Sequence, residues 1–350
     1  MPAAGTWRAV LQVCSPFLSA PAEPPPGVTA EGLVAEAVRL GLAPALAGRV
    51  PARWLELLPG LAAPLRRIRQ GAVAQALMVD RVRRNVLVLA EEAGVKVAVL
   101  KGAFTEPALH GGSGLRVITD VDLLCSADGA RMLHETLARH GYRRFGDARP
   151  ASTADAFEWT YQPPGGGPVL VDLHRQPCEP AYFRLDLDGW LTRTRPWPTA
   201  RGPIPGLCAE DMLMSVAVHA ASHGFELDLR TFHDVALLAA GPGVDLGGVV
   251  TQARAAGAEV PVWLTLRILV DLFGYVGAED AAEALAPSWM RQSYLRARIP
   301  WVEGRMANWE RNNRARIILG IFPLLSGPDR AAGFLRTYAR RRVRDLLALK

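Results

Sequence analysis

Two aspartates inside an apolar strand pattern constrain this chain more than any other feature. Asp120 and Asp122 stand two residues apart in the stretch from Ile118 to Cys125. Side chains alternate between the faces of a strand, so Val121 and Leu123 can face a core while both aspartates project from the opposite face. Carboxylates this close repel unless a divalent cation or a shared proton offsets their charge. The pattern predicts a metal-assisted phosphoryl or nucleotidyl transfer site or, as the common alternative for a bare D-x-D, a solvent-exposed strand face.

Three features of the flanking sequence favour the metal site. An apolar strand, Val97 to Leu100, runs into Lys101-Gly102, where a glycine allows the backbone to approach a phosphate closely. Arg116 precedes the first aspartate by four residues and is placed to reach an anionic group at the same site. A later strand pattern, Val169 to His174, carries Asp172. If that strand pairs beside the D-x-D strand, a third carboxylate joins the cluster.

The order K-G, R-x-x-x-D-x-D-L-L and D-L-H resembles a bacterial nucleotidyltransferase-like family with the polymerase-beta type fold, a group described as uncharacterised nucleotidyltransferases. The segment from His219 to Leu238 is similar to that family's helical segment, with two spaced histidines and a later Asp. The general superfamily carries Gly-Ser after its first strand, whereas this chain has Lys101-Gly102-Ala103 there. The resemblance spans residues 65–240.

The resemblance implies a Mg²⁺-dependent transfer of a nucleoside monophosphate from an NTP to an acceptor hydroxyl. Two Mg²⁺ ions would be held by the carboxylates of Asp120, Asp122 and Asp172. Asp172 would also accept the proton of the acceptor hydroxyl. The groups expected to bind the nucleotide are Lys101, Gly102, Arg116, His219, His223 and Arg230. The acceptor is left open among a small molecule, a peptide or protein side chain, and RNA. The alternative is a nucleotidyltransferase-like module that binds a nucleotide or a partner without turnover.

The paired histidines allow two other interpretations. His219 and His223 lie four residues apart on one helix face, which is the spacing of a zinc protease, but the HAASH segment lacks the glutamate that would act as base. Histidines packed against a domain interface are the common alternative. Signatures of serine hydrolases, P-loop enzymes and dinucleotide-binding folds are absent from the sequence.

Strand and helix patterns predict a mixed α/β domain followed by an all-helical region. We expect an N-terminal helical cover over residues 1–64, a nucleotidyltransferase-like α/β domain with a mixed sheet over 65–206, and a helical C-terminal domain over 207–350. A long helix is predicted over 65–94, a helix with Asp128 as its N-cap before His140, and a hairpin that joins the Phe157–Gln162 pattern to the strand of Asp172. The stretch 186–206 has little periodicity and is expected to be a linker.

Composition restricts the location and the partners of the protein. Four cysteines without metal-ligand spacing favour reduced thiols and a cytoplasmic protein, and no apolar run is long enough to span a bilayer. The net charge of +6 comes from the C-terminus, where a predicted terminal helix carries Arg336, Arg340, Arg341, Arg342 and Arg344. That stripe is either a guide for an RNA acceptor or, as is more common, a solvated face.

Overall fold

The computed structural model of the chain describes residues 5–145, 158–178, 182–225, 228–241 and 243–298, with the short pieces 324–325, 332–333 and 335–336. The strands are β1 (Ala98–Leu100), β2 (Asp120–Leu124), β3 (Arg143–Arg144), β4 (Glu158–Gln162), β5 (Leu170–His174), β6 (Arg195–Trp197) and β7 (Ile204–Gly206). The helices before and between them are α1 (Thr6–Cys14), α2 (Ala30–Arg39), α3 (Ala43–Arg49), α4 (Ala52–Leu57), α5 (Ala62–Glu92), α6 (Lys101–Leu109), α7 (Ala127–Arg139) and α8 (Leu187–Thr192). The later helices are α9 (Ala209–Ser222), α10 (Leu229–Ala240), α11 (Leu246–Ala256), α12 (Glu259–Phe273), α13 (Glu279–Ala284) and α14 (Trp289–Arg298).

The strands form one mixed sheet in the order β3-β4-β5-β2-β1-β7-β6. β2 lies at its centre, antiparallel to β1 and parallel to β5. The predicted hairpin is confirmed, because β4 and β5 pair antiparallel with Thr160 opposite Asp172. An α/β domain with a mixed sheet followed by helices is therefore the observed architecture. The parallel pairing of β2 with β5 is what brings the functional side chains of two distant segments together.

The expectation that residues 186–206 form a linker is wrong. This stretch contains α8 and the strands β6 and β7, and β7 pairs parallel with β1 at Val99 and Gly206. The strands read RPW and IPG, too short and too rich in proline to show an alternating pattern. Proline is tolerated in β6 because β6 is the edge strand of the sheet. Gly206 is required by packing, since a Cβ at this position would lie 2.3 Å from the ring of Phe104.

Two helix ends in the α/β part differ in how well the sequence predicted them. The long helix is confirmed as α5, and Gly94 after it adopts φ +65°, the left-handed conformation that ends a helix. The N-cap of α7 is Ser126, whose side chain accepts a hydrogen bond from the backbone N–H of Gly129, so the prediction of Asp128 is wrong by two residues. Asp128 instead lies in the first turn, where its negative charge interacts favourably with the helix dipole.

The helical part begins at α9 and includes α11, which was not predicted. The sequence of α11 contains two glycines, but Asp245 caps its first turn by accepting from the N–H of Gly248, and Gly257 ends it at φ +68°. The predicted terminal helix that carries the five arginines lies outside the described residues, apart from the short pieces named above. Across the part of the chain that is described, no helix is long and apolar enough to cross a membrane.

The N-terminal helices pack against both later parts of the chain. α3 contacts α5, and α1 contacts α12. The side chain of His233 in α10 hydrogen-bonds the carbonyl of Cys14 at 2.9 Å. The three-part division at residues 64 and 206 stays a prediction.

Candidate functional site

Three carboxylates meet at the centre of the sheet. In the parallel register of β2 and β5, Asp120 lies opposite Leu170 and Asp122 lies opposite Asp172. Because side chains two apart share a face, all three aspartates project from the same side of the sheet. One oxygen of each lies within 4.8 Å of the others. The predicted convergence is confirmed, while the catalytic roles of these residues stay predictions.

Asp122 is the buried centre of the cluster, with no exposed surface. Its Oδ1 accepts hydrogen bonds from Lys101 Nζ at 2.6 Å and from His174 Nε2 at 2.7 Å. Burial alone raises the pKa of Asp122, but the adjacent Lys101 charge and the His174 hydrogen bond outweigh it and hold that pKa well below its usual range. The carboxylate is therefore ionised at neutral pH.

Asp120 and Asp172 flank this charge, and their pKa values are shifted in the opposite direction from that of Asp122. Burial raises the pKa of Asp120, and the Asp122 charge adds to that effect. Burial also raises the pKa of Asp172, partly offset by a hydrogen bond from Thr160, and the neighbouring aspartates raise it further. The positive charges of the protein are thus not enough to offset the burial of either carboxylate.

The cluster fits a divalent cation. Oδ2 of Asp122 and Oδ1 of Asp172 are buried without a hydrogen-bond partner among the described residues. Unpartnered buried carboxylate oxygens are costly, and they are the ligands that hard cations such as Mg²⁺ prefer. The donor set that points into the cluster is made of oxygen atoms only.

Lys101 and Gly102 contribute differently from what their sequence suggested. Lys101 itself takes the left-handed φ of +48°, whereas the expectation was that Gly102 makes the tight turn. A Cβ on Gly102 would lie 2.1 Å from Nη1 of Arg116 and 2.5 Å from Cγ2 of Ile118. Gly102 therefore makes room for the Arg116 side chain. Lys101 keeps a raised pKa because the charge of Asp122 outweighs its burial.

The two predicted arginines meet at one backbone carbonyl. Nη1 of Arg116 donates to the carbonyl of Val117 at 3.0 Å, and Nη1 of Arg230 donates to the same oxygen at 3.2 Å. The charge of Arg116 lowers the pKa of Asp120, against the effects of burial and Asp122. Arg230 pairs with Asp228 at 3.0 Å. Arg116 is thus the arginine beside the carboxylates, and Arg230 supports the chain that leads into β2.

His219 and His223 lie on the side of the site occupied by Lys101. Their ring centroids are 4.6 Å apart at the C-terminal end of α9. Burial lowers the pKa of both imidazoles, and the Lys101 charge lowers each further, so both are neutral at pH 7. Within the described residues, neither belongs to a group of three ligand atoms close enough to share a metal ion. The structure places them beside the site and leaves their role in binding a prediction.

Three residues at the site were missed by the sequence reasoning. His174 orients Asp122 and lies 3.5 Å from Glu158 across the β4–β5 pair, and Asp234 binds Arg116. For His174 a signal was present, because it follows Asp172 by two residues and so shares its face. Glu158 and Asp234 carried no comparable signal, since their contacts depend on strand pairing and on helix packing.

Substitution of Gly102 by Ala is expected to lower the free energy of unfolding by about 2 kcal/mol, because the added methyl overlaps the buried Arg116 and Ile118 side chains. Gly71→Ala is the matched control. Gly71 lies within α5 with no atom near its Cβ position, and the change should stabilise by up to about 1 kcal/mol. Urea unfolding measures both. A stable Gly102→Ala protein would contradict the close approach of Arg116.

Asn substitutions at Asp120 and Asp122 are expected to have opposite effects on stability. The repulsion expected between two adjacent carboxylates would be relieved by removing either of them, but Asp122 is paired with Lys101 and His174. In the absence of metal, Asp122→Asn should cost about 2 kcal/mol because it leaves a partly buried lysine without its counter-charge. Asp120→Asn should raise the melting temperature. Equal shifts in melting temperature for the two variants would contradict this assignment of the charges.

Comparison with known proteins agrees with the geometry of the site. The model of a family described as uncharacterised nucleotidyltransferase matches residues 26–274, well over half of the chain. The match covers the whole sheet, the carboxylate cluster and the helices α9 and α10. No curated protein matches the chain significantly. The chain belongs to the uncharacterised nucleotidyltransferase family.

Proposed function

We propose that this protein is a metal-dependent nucleotidyltransferase that moves a nucleoside monophosphate from an NTP to an acceptor hydroxyl, with pyrophosphate as the leaving group. The observation that carries the proposal is the carboxylate cluster of Asp120, Asp122 and Asp172, in which two buried oxygens have no partner among the described residues. Membership of the nucleotidyltransferase family supports a nucleotide as substrate.

The three aspartates would hold the divalent cations, which we take to be two Mg²⁺ ions. The bound metal supplies charge neutralisation on the triphosphate and lowers the pKa of the acceptor hydroxyl. Asp122 is suited to a permanent ligand role because Lys101 and His174 fix its Oδ1 and leave Oδ2 available. Asp172 is suited to accept the proton of the acceptor, since its Oδ1 is also unpartnered.

Cationic groups on one side of the cluster would orient the triphosphate. Lys101 lies at the N-terminus of α6, where backbone N–H groups favour an anion. The side chain of Arg116 lies against Gly102, at the same end of α6. His219 and His223 would reach the nucleotide as neutral imidazoles, able to donate one hydrogen bond each. Together these groups would fix the α-phosphorus for in-line attack and spread the charge that develops.

The acceptor is proposed only as a hydroxyl on a small molecule, a peptide or protein, or RNA. Of the basic stripe that would guide RNA, Arg340, Arg341, Arg342 and Arg344 lie outside the described residues. A cytoplasmic location stays part of the proposal. Binding of a nucleotide without turnover is the alternative that the experiment must separate from transfer.

The proposal is tested by incubating the purified protein with each NTP labelled at the α-phosphate, in the presence of Mg²⁺ and a cell lysate as the source of acceptors. We expect one NTP to label a macromolecular or small-molecule product, with release of pyrophosphate. Asp120→Asn in the same lysate is the control. Label that binds but never becomes covalent would favour the binding module. Covalent label from a parallel incubation with γ-labelled NTP, with none from the α-labelled NTP, would show a kinase.

A further inference from the structure

Asp234 is a buried carboxylate in α10, outside the carboxylate cluster, and three donors bind it. Its Oδ2 accepts from Arg116 Nε at 2.5 Å and from Thr105 Oγ1 at 3.0 Å, and its Oδ1 accepts from His110 Nε2 at 3.0 Å. Thr105 and His110 both belong to the α6 segment, which starts at Lys101. Asp234 thus connects the helical part of the chain to two segments that build the site.

The surroundings of Asp234 keep it ionised. Burial raises its pKa, but the charge of Arg116 and the hydrogen bond from His110 outweigh burial and lower that pKa to about 2. Only 4% of the residue is exposed. A buried charged pair of this kind is a weak source of stability compared with apolar packing, so a role in orientation is the more informative explanation.

The group formed by His110, His233 and Asp234 is compact enough for a metal ion, but of its candidate ligand atoms only Nδ1 of His110 is buried without a hydrogen-bond partner among the described residues. Nε2 of His233 hydrogen-bonds the carbonyl of Cys14, and both Asp234 oxygens accept hydrogen bonds. The adjacent Arg116 guanidinium also opposes a second cation. This differs from the carboxylate cluster, where two buried oxygens have no partner among the described residues.

The guanidinium of Arg116 is held at two of its three nitrogens. Nε donates to Asp234 and Nη1 donates to the carbonyl of Val117. Within the described part of the chain, Nη2 makes no hydrogen bond and is not completely buried. Because the guanidinium is planar, two fixed nitrogens determine the direction of the third. Gly102 allows this plane to lie against the start of α6, and the Arg116 charge acts on Asp120.

We infer that Asp234 is a positioning residue, which fixes the Arg116 guanidinium so that its free edge faces the polyphosphate of the nucleotide beside the carboxylate cluster. The inference rests on the proposed function, in which Arg116 binds phosphate. An arginine fixed before the ligand arrives does not lose its rotamer freedom on binding, and charged N–H groups such as those of Nη2 form strong hydrogen bonds with phosphate oxygens. Asp234 thereby connects the helical part of the chain to the site without itself contacting the reacting atoms.

The test measures the binding of inorganic tripolyphosphate with Mg²⁺ by calorimetry, because this probe is common to every NTP. We expect Asp234→Asn and Arg116→Gln each to weaken binding about tenfold. The double variant should bind no more weakly than Arg116→Gln alone, since Asp234 acts through Arg116. Additive losses, or unchanged binding in folded Asp234→Asn, would overturn the inference.

Asp211→Asn is the matched control for the loss of a buried pair. Asp211 has no exposed surface and binds Arg193 through two hydrogen bonds, at 2.9 and 3.0 Å, away from the carboxylates. Its substitution should lower stability and leave tripolyphosphate binding unchanged. Weakened binding in Asp211→Asn equal to that in Asp234→Asn would show a general effect of destabilisation and overturn the inference.

Arg116→Lys keeps the experiment decisive if Asp234→Asn does not fold. Lysine retains the charge but cannot be held as a plane by Asp234 and the Val117 carbonyl. We expect about tenfold weaker tripolyphosphate binding, and binding as tight as that of the natural protein would overturn the inference. If Arg116→Gln weakens binding but Asp234→Asn does not, the proposed function stands without this inference. Failure of the natural protein to bind tripolyphosphate would overturn both.

Discussion

Replacement of Asp120 or Asp122 by Asn is expected to lower the rate of nucleotidyl transfer by about 1,000-fold or more. Each substitution removes a carboxylate charge from the group whose oxygens converge within 4.8 Å. The amide that replaces it is a weaker ligand for a hard cation, because its carbonyl oxygen carries no negative charge. Initial rates of transfer from the α-labelled NTP, at saturating Mg²⁺, measure the effect.

Asp128→Asn is the control for that comparison. Asp128 is an exposed residue at the start of α7 whose carboxylate pairs with Arg131. Its substitution removes the same charge without changing the site, so the rate should stay within twofold of the natural protein, on the order expected for surface changes. A rate in Asp122→Asn within tenfold of the natural protein would exclude the proposed role of the cluster.

Lys101→Met is expected to lower both transfer and stability, with a loss of about 3 kcal/mol in the free energy of unfolding at pH 7. Asp122 is wholly buried, and Lys101 is the cation nearest to it. Removing the lysine leaves a buried carboxylate with only His174 as hydrogen-bond donor to its Oδ1. Urea unfolding without metal measures the loss.

Lys96→Met is the matched control, because Lys96 lies just before β1 and, among the residues that the structure describes, its side chain makes an exposed hydrogen bond to the carbonyl of Thr192 and no other. Its effect should be within about 0.5 kcal/mol of zero. Equal losses in the two variants would contradict the pairing of Lys101 with Asp122.

The stability loss in Lys101→Met should depend on pH in a defined direction. The folded-state pKa of Asp122 is depressed, so its ionised form contributes stability above the unfolded pKa of about 4, and that contribution is lost as pH falls further. The free energies of unfolding of the natural protein and of Lys101→Met should therefore converge below about pH 4. A difference that stays constant down to pH 3 would show that Lys101 stabilises by packing alone.

Much of the site followed from strand alternation. The spacing of Asp120 and Asp122, and the recurrence of Asp172 on a second apolar strand, were enough to predict three carboxylates at one place. The prediction required only that β5 lie beside β2, and the structure has this pairing. Alternation does not determine how deeply a residue is buried. The interpretation of the D-x-D face as solvent-exposed therefore fails at Asp122, which has no exposed surface.

The parts that the sequence did not predict depend on distant contacts. Asp234 contacts Arg116 because α10 packs against α6. These two helices are more than a hundred residues apart in the sequence. The strands β6 and β7 are too short for periodicity. β7 is a strand because it pairs with β1, and β6 is a strand because it pairs with β7. Gly102 was correctly selected as special, but the group that approaches it is a side chain of the same protein.

The position of bound metal tests the central claim most directly. Crystals grown with Mn²⁺ and a non-hydrolysable NTP analogue should show anomalous density between the carboxylates of Asp120, Asp122 and Asp172, with the triphosphate on the side of Lys101 and Arg116. Nucleotide bound in the crystal with no manganese at these carboxylates, or with manganese at the group of His110, His233 and Asp234 instead, would contradict the account.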